Sequence, residues 1–329
     1  MSHLIRVGVL RGGPSSEYDV SLKSGGAILA ALRSRADERY RIHDVLIDRA
    51  GEWHADGIRI DPEDARVRFD VAFNALHGAY GEDGKLQSIL EAHGIPFTGS
   101  DSLASALGMN KILTKQVLAK HGIKSPYWKE VLSEDVQGEK AAATAQELFE
   151  TFVLPAVIKP AVSGSSVGVS IVRKHADIEP ALREAALHGH SILVEEFISG
   201  IESTCGIIEN FRGQDLYALP PVEIRPKNSF FDFKAKYEGE SEEIVPATFS
   251  QELKKSIEVL AAKVHTVLGL RHYSRTDFII HPRRGIYVLE TNTLPGLTEE
   301  SLVPKSLHAV GSGLPEFADH LIRLALCEI

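Results

Sequence analysis

The sequence is poor in the features that mark several common classes of protein. Only two of its 329 residues are cysteine, Cys205 and Cys327, and no CxxC pair is present, so a disulfide framework and a thiolate zinc site are both disfavoured. No apolar run is long enough to span a bilayer, and MSHLIRVGVL does not have the layout of a signal peptide. A basic excess is also lacking, since the net charge is −9, so a nucleic-acid partner is not indicated. We therefore expect a soluble cytoplasmic protein without a membrane or nucleic-acid partner.

The composition that remains is typical of a globular enzyme, with 43% hydrophobic and 25% charged residues and enough length for two or three domains. Over residues 1–105, the apolar runs LIRVGVL, RIHDVLID, FDVAFNAL and IPFTG alternate with the helical patterns SLKSGGAILAALRS and GKLQSILEAHG. This alternation predicts an α/β fold, with a parallel sheet covered by helices on both faces. Ligands of such sheets bind beyond the carboxyl ends of the strands.

Two loops lie at that edge of the predicted sheet, RGGPSSE and HGAYGEDG. The first lacks GxGxxG spacing, which excludes a nicotinamide site. Glu17 opens the following helix, where it has two candidate roles: capping the helix or holding a substrate ammonium group. In the second loop the glycines permit close approach of the backbone to a ligand, and His77 would then lie near the charged end of that ligand.

A second motif, PAVIKPAVSGSSVGVSIV, follows a predicted helix over MNKILTKQVLAKHG and an Ala-rich helical stretch. It predicts a strand ending at Lys159, a loop containing Ser165 and Ser166, and a return strand. Backbone N–H groups of such a loop can surround phosphates, and a lysine at the strand end supplies a point charge. A P-loop is excluded because the GxxxxGK[ST] pattern is missing and a strand follows.

The most informative stretch is RTDFIIHPRRGIYVLETNTLPGLTEESL, which predicts a β-hairpin around HPRRG. Because side chains alternate faces along a strand, Arg275 shares a face with Asp277, and Glu290 shares one with Asn292. Two carboxylates facing each other would repel unless a cation lies between them, and Mg²⁺ prefers such oxygen ligands together with substrate phosphates. The hairpin therefore predicts a metal–phosphate site.

Residues 191–329 predict a larger unit. SILVEEFISGIESTCGII is expected to form strand, turn and strand, with Glu195 and Glu202 at strand ends and Glu196 as a solvated edge charge. LYALPPVEI is predicted as one strand. The long segment PKNSFFDFKAKYEGESEEIVPA, with Lys236 and Tyr237, is predicted to be a lid. Helices are predicted over 251–269 and PEFADHLIRLALCEI.

Taken together, these motifs resemble the D-alanine–D-alanine ligases of the ATP-grasp superfamily over essentially the whole chain. The matching segments are GGPSSEYDVSLKSG, HGAYGEDGKLQSIL, MNKILTK, IKPAVSGSSVGVS, LVEEFISGIE, FFDFKAKY, RTDF and ETNTLPGLTEESLVP. The resemblance implies a three-domain ATP-grasp fold: an N-terminal substrate domain over 1–105, a central subdomain over 106–190, and a C-terminal subdomain over 191–329 with a lid at 228–245. It also implies ligation of two D-alanines at the expense of ATP, through an acylphosphate, for peptidoglycan synthesis, and a homodimer.

The resemblance further implies roles for residues that match its motifs. ATP would be bound by Lys111, Lys159, Ser165, Ser166, Glu195, Phe197, Ile198, Glu202 and Lys236. Two Mg²⁺ ions, with Mn²⁺ as a substitute, would be held by Asp277, Glu290 and Asn292. The amino acids would be bound by Glu17, His77, Ser301 and Leu302, and the catalytic set would be Glu17, Ser165, Tyr237, Arg275 and the backbone of Gly296.

Two departures from the family pattern are Asn110 in place of Asp and Glu300 in place of His, and Glu300 is expected to weaken binding of the second amino acid. Alternatives also stay open. A D-alanine–D-lactate ligase shares nearly every motif, although Tyr237 favours the peptide-forming enzyme. Another carboxylate–amine ligase would lack the GGPSSE loop, and a non-catalytic nucleotide-binding regulator would not need Arg275.

Overall fold

The computed structural model describes residues 4–35, 39–162, 164, 167–226 and 241–328, and three β-sheets organise them. The first sheet has the order β4-β3-β2-β1-β5 and comprises β1 (Ile5–Gly12), β2 (Tyr40–Ile47), β3 (Trp53–Ala55), β4 (Ile58–Ile60) and β5 (Val71–Asn74). Strand β1 pairs in parallel with β2 and with β5, which confirms the three long predicted strands.

The first sheet is nevertheless mixed rather than purely parallel, because β3 and β4 form an antiparallel hairpin at its edge. Asp56 and Gly57 both have positive φ, 49° and 83°, as two-residue hairpin turns require, so the Asp-Gly pair was the overlooked signal. The short strand predicted for IPFTG is wrong as well. That segment makes a single bridge, between Phe97 and Ala72.

Five helices accompany this sheet and lead into the second one: α1 (Tyr18–Arg33), α2 (Ala65–Arg68), α3 (Lys85–Ala92), α4 (Ser102–Met109) and α5 (Lys111–Lys120). Asn110 lies between α4 and α5 as the cap residue of both, and its side-chain oxygen accepts from the backbone N–H groups of Ile112 and Leu113. Asparagine caps a helix about as well as aspartate does, so the departure at this position keeps the cap.

The second sheet is antiparallel throughout, with the order β6-β9-β7-β8. Its strands are β6 (Trp128–Leu132), β7 (Ala156–Pro160), β8 (Ser170–Val172) and β9 (Ser191–Glu196), and helices α6 (Lys140–Thr151) and α7 (His175–Ala186) share its apolar core. Strand β7 is confirmed and ends at Pro160, one residue later than the motif predicts.

The third sheet has the order β13-β12-β10-β14-β15, with β11 also paired to β10. It comprises β10 (Ile201–Phe211), β11 (Gln214–Ala218), β12 (Val222–Pro226), β13 (Ser241–Ile244), β14 (Tyr273–His281) and β15 (Gly285–Asn292), and α8 (Gln251–Val267) packs against it. LYALPPVEI is not one strand, because Pro220 and Pro221 separate β11 from β12. Proline has no N–H to donate to a ladder, which explains the break.

One apolar core joins the beginning and the end of the described chain. Val7, Phe73 and Ile28 of the first sheet and α1 are buried with Phe317 and Leu321 of α10 (Leu314–Ala325), and α9 (Leu302–Ala309) contributes to the same cluster. Within the residues described, none of the helices combines the length and apolarity needed to cross a membrane.

Candidate active site

The hairpin of β14 and β15 brings its four polar residues together as predicted. Asp277 lies directly opposite Glu290, and Arg275 lies opposite Asn292. A bulge follows, since the pairing shifts between Asp277 and Phe278, so that Phe278 pairs with Val288. Bulges beside functional sites redirect side chains, and this one ends the regular pairing at the acidic pair.

Asp277 is held by three neighbours in this structure. The Arg275 guanidinium donates to both of its carboxylate oxygens at 2.9 Å, and the Thr204 hydroxyl donates to one of them at 2.6 Å. The Asn292 amide nitrogen lies 3.3 Å from the other oxygen. Arg275 thus forms a bidentate ion pair with Asp277, the carboxylate that the sequence predicts as a metal ligand.

A buried ion cluster lies beside the hairpin. Glu195 is 2% exposed, and its carboxylate lies between two ammonium groups, with Lys115 Nζ 2.6 Å from one oxygen and Lys159 Nζ 2.6 Å from the other. The Lys115 contact is an ion pair without hydrogen-bond geometry. Next to this cluster, Lys111 Nζ lies 3.4 Å from Glu290, which links the lysines to the hairpin.

The charges in this cluster control one another. Burial opposes ionisation of Glu195, but the two ammonium groups keep its pKa below the ordinary value for a carboxyl. Burial likewise disfavours charge on Lys159, yet the carboxylates of Glu195 and Glu290 raise its pKa. For Lys115 the burial cost prevails, and its pKa is lowered. The cluster therefore presents a positively charged Lys159 at the end of β7.

Glu17 lies close to Gly78 of the second N-terminal loop and to Gly164, which follows β7. It immediately precedes α1, at the N-cap position, but its side chain makes no capping hydrogen bond. A Cβ built on Gly164 would lie 2.6 Å from Glu17 Oε1, and one on Gly78 would lie 3.4 Å from its carboxyl carbon. Both glycines therefore permit the backbone to approach this carboxylate. Of the two roles predicted for Glu17, helix capping by its side chain is contradicted by the structure.

His77 is buried and is held at both ring nitrogens. Its Nδ1 lies 3.1 Å from the Leu294 carbonyl oxygen and 3.8 Å from a Glu82 oxygen, and its Nε2 lies 2.8 Å from Ser24 Oγ. The Leu294 contact joins the second N-terminal loop to the segment that follows β15.

That segment, residues 293–301, carries Gly296 and ends where α9 begins. A Cβ on Gly296 would lie 2.8 Å from Ser301 Oγ, so only glycine fits without displacement. Ser301 Oγ accepts from the Thr298 N–H at 3.2 Å and lies 2.9 Å from the Thr298 hydroxyl. Leu302 is the first residue of α9.

At the other end of the site, β9 runs into Phe197 and Ile198. Ile198 is buried, and the Arg173 guanidinium lies over the Phe197 ring. Glu202 lies on β10, opposite Ile279 of β14. The prediction of Glu196 as a solvated edge charge is wrong, because Arg284 at the hairpin turn binds both of its oxygens, at 2.5 and 3.1 Å.

Four predicted site residues, Ser165, Ser166, Lys236 and Tyr237, lie outside the described residues, as does 228–240 of the predicted lid. Its last part, 241–244, is strand β13, which pairs with β12.

Several residues of the site went unnoticed in the sequence. Lys115 lies four residues after Lys111 on α5 and Thr204 two residues after Glu202 on β10, so helical and strand periodicity were available as signals. Ser24 offered no such signal, because its partners come from distant parts of the chain.

Comparison with known proteins shows which family the chain is similar to. The family models for the D-ala D-ala ligase N-terminus and C-terminus match residues 6–64 and 55–100, and residues 117–323, respectively. The D-alanine–D-alanine ligase of Geotalea uraniireducens is 42% identical over 98% of this chain and 96% of its own length. That of Geobacter sulfurreducens is 40% identical over 98% and 95%, respectively.

Two solved structures of D-Ala ligases are similar in fold to this chain. The VanG D-Ala:D-Ser ligase from Enterococcus faecalis superimposes with a TM-score of 0.85 at 28% identity, covering 98% of this chain and 100% of its own. The D-alanine–D-alanine ligase from Coxiella burnetii has a TM-score of 0.82 at 26% identity, with 99% and 95% covered. The ATP-grasp fold expected from the sequence is thereby confirmed, and the chain belongs to the D-alanine–D-alanine ligase family.

Proposed function

We propose that this protein joins two D-alanines into D-alanyl-D-alanine at the expense of ATP, supplying a precursor of peptidoglycan. The observation that carries the proposal is an acidic hairpin in contact with a lysine cluster, together with the Glu17 carboxylate beside the loop that follows β7. Asp277 and Glu290 are cross-strand partners, Lys111 contacts Glu290, and Glu17 lies against Gly164. A ligase that activates a carboxylate with ATP needs these three kinds of group together.

The donor set of the hairpin suits a divalent cation. Asp277, Glu290 and Asn292 present oxygen atoms on adjacent positions of two paired strands, and hard cations such as Mg²⁺ prefer oxygen ligands. We propose that these residues hold two Mg²⁺ ions, which would neutralise the phosphates of ATP and polarise the one that is transferred. Arg275 now binds both oxygens of Asp277, so metal binding would compete with this pair and release the guanidinium toward substrate.

Lys111 and Lys159 are the proposed phosphate ligands. Both ammonium groups already contact carboxylates, at 3.4 and 2.6 Å, and the pKa of Lys159 is raised even though burial opposes its charge. A lysine that is held in its charged form can bind a phosphate without first gaining a proton. Phe197, Ile198 and Glu202 would bind the adenine and ribose at the other end of the nucleotide, where the ion pair between Glu196 and Arg284 fixes the end of β9. Glu195, whose carboxylate is buried between Lys115 and Lys159, would contribute to ATP binding by holding Lys159 in place.

The proposed reaction has two steps. Glu17 orients the ammonium of the first D-alanine, whose carboxylate takes the γ-phosphoryl group from ATP and becomes an acylphosphate. The amine of the second D-alanine then attacks the acyl carbon, loses a proton and displaces phosphate. Arg275 and the Gly296 N–H would stabilise the oxyanion that develops in this second step, since donors fixed at a developing charge lower the barrier.

The further assignments rest on resemblance to the family. Ser165, Ser166, Lys236 and Tyr237, with the rest of the lid, would close over the reacting groups and exclude water from the acylphosphate. Ser301 and Leu302 would receive the carboxylate of the second amino acid. We also propose that the protein is a cytoplasmic homodimer, and that the chain divides into domains at about residues 105 and 190.

Product identification tests this function directly. The purified protein, incubated with ATP, Mg²⁺ and D-alanine, should form ADP, phosphate and a dipeptide that mass spectrometry identifies as alanyl-alanine, and L-alanine should give none. Arg275→Ala should lower kcat on the order of a hundredfold or more, as for other oxyanion donors. Arg283→Ala, an exposed residue at the hairpin turn, is the matched control and should leave kcat unchanged. ATP turnover independent of D-alanine would refute the proposal.

A second candidate concerns only the second substrate. The similarity to the VanG D-Ala:D-Ser ligase leaves the preference for the second amino acid to experiment. Competition among D-alanine, D-serine and D-lactate at equal concentrations would decide it, and we expect D-alanine to be incorporated in excess.

A further inference from the structure

We infer that Ser24 is a positioning residue for the bond-forming step. Its hydroxyl holds the buried His77 and residues 294–297, which carry the proposed oxyanion donor Gly296, in one fixed arrangement. The inference rests on the proposed function and goes beyond it, since Ser24 belongs to none of the binding or catalytic sets proposed above. Ser24 lies on α1, is completely buried, and is remote in sequence from both of its partners.

The contacts form a continuous chain of hydrogen bonds. The backbone N–H of Leu297 donates to Ser24 Oγ at 3.3 Å, and the same oxygen lies 2.8 Å from His77 Nε2. At the other side of the ring, His77 Nδ1 lies 3.1 Å from the Leu294 carbonyl oxygen. Leu294 and Leu297 flank Pro295 and Gly296, so both ends of this short segment are held by one histidine–serine pair.

Donor and acceptor chemistry fixes the direction of these bonds for a neutral ring. A hydroxyl has one hydrogen to donate, and its oxygen accepts the Leu297 N–H. A carbonyl oxygen can only accept, so the hydrogen of the ring must be on Nδ1, facing Leu294. His77 Nε2 is then the acceptor for the hydroxyl hydrogen of Ser24.

The pair is itself held firmly. The His77 carbonyl accepts from the Ser15 hydroxyl at 2.7 Å, and that hydroxyl oxygen accepts from the Glu17 N–H at 3.1 Å. Leu294 and Leu297 are 3% and 1% exposed and belong to the core shared with α1. The segment therefore has little freedom, and the Gly296 N–H is oriented by the loops that carry the site of the first amino acid.

Ser24→Ala tests this arrangement. It leaves the Leu297 N–H without its acceptor and His77 Nε2 without its donor, so the Gly296 N–H should shift from the oxyanion position. Bond formation should slow while phosphoryl transfer continues, because no proposed phosphate ligand is touched. We expect kcat for dipeptide to fall about ten- to a hundredfold, as for small misplacements of a reacting group. The KM for ATP should be unchanged, and the phosphate released per dipeptide should rise at least threefold.

Ser21→Ala is the matched control. Ser21 is also completely buried on α1, and its hydroxyl accepts from the Gly12 N–H at 2.8 Å and donates to the Ala75 carbonyl at 2.9 Å. Ser21→Ala should lower the free energy of unfolding about as much as Ser24→Ala does. It should still release one phosphate per dipeptide formed. A purely structural role for Ser24 would make the two variants alike in this ratio, and that result would overturn the inference.

A measurement on the unsubstituted protein covers the case in which Ser24→Ala fails to fold. Nitrogen-15 NMR of the imidazole rings, with His77 assigned through His77→Gln, should show hydrogen on Nδ1 and none on Nε2. The opposite tautomer would overturn the inference. A wild-type protein that makes no dipeptide would instead refute the proposed function, whereas an active wild type with an unchanged ratio in Ser24→Ala would refute only the role of Ser24.

Discussion

His272 offers a sharp test of how the N-terminal sheet is joined to the rest of the chain. The residue has φ of 64° and immediately precedes β14. Its Nδ1 accepts from the Gly99 N–H at 3.0 Å, and its own N–H donates to Glu209 at 2.6 Å. Burial, reinforced by the charge of Arg271, lowers the pKa of His272 from 6.5 to about 4, although Glu209 opposes the change. His265 and His320 also face this junction.

Protonation of His272 makes the free energy of unfolding depend on pH, because the pKa of this residue differs between the folded and the unfolded chain. Between pH 6.5 and about 4 the unfolded chain binds a proton at this histidine and the folded chain does not, so stability falls as the pH is lowered through this window. The penalty is absent above pH 6.5 and complete below about 4. A difference of about 2.5 in pKa corresponds to roughly 3 kcal/mol of unfolding free energy.

His272→Asn should remove this sensitivity and keep the local structure. Asparagine tolerates positive φ better than most residues, and its amide oxygen can accept from the Gly99 N–H. The free energy of unfolding in urea should be measured at pH 7, 6, 5 and 4.5. Between pH 7 and pH 4.5, the stability of the variant relative to the wild type should increase by more than about 1 kcal/mol. His308→Asn, at an exposed position of α9, is the control. Parallel curves for wild type and His272→Asn would refute the reasoning.

Three further predictions concern the site itself. Glu290→Gln should preserve the fold but raise the Mg²⁺ concentration needed for half-maximal turnover at least tenfold, because an amide replaces a charged ligand; unchanged turnover at limiting Mg²⁺ would contradict the metal assignment. Glu195→Gln leaves two buried ammonium groups without their carboxylate and should lower the free energy of unfolding by about 3–5 kcal/mol. Lys115→Met keeps the pair between Lys159 and Glu195 and should lower it less. A lower thermal unfolding temperature for Lys115→Met than for Glu195→Gln would contradict this account. Glu300→Gln should lower the KM for the second D-alanine at low salt, and addition of salt should abolish the difference, since the Glu300 side chain is 89% exposed beside Lys305; a difference that persists in salt would exclude a simple charge effect.

The parts of the fold that followed from the sequence are those with strong local patterns. The hairpin around HPRRG was predictable because two β-branched runs flank a Pro- and Gly-containing turn, and its alternation placed Arg275 with Asp277 and Glu290 with Asn292. The register was not predictable, since a bulge beside Asp277 depends on the partner strand. The β3–β4 hairpin was overlooked because its strands have only three residues each.

The composition of the site was more predictable than its internal contacts. Lys159, Glu195 and Lys111 each follow from a motif, but the sharing of one carboxylate by Lys115 and Lys159 depends on how α5 packs against β7 and β9. The ion pair between Glu196 and Arg284 joins residues 88 positions apart, so no local sequence pattern predicts it. Interactions of this kind need the tertiary structure.

The core shared by α1 and α10 has a consequence for how the chain acquires its structure during synthesis. Val7 and Phe73 of the first sheet are buried partly by Phe317 and Leu321, which the ribosome adds some 250 residues after Phe73. At about 5–20 residues per second, that interval lasts roughly 10–50 s. For this time one face of the nascent sheet lacks its native cover, so the emerging N-terminal segment is the part of this protein that a chaperone would be expected to bind.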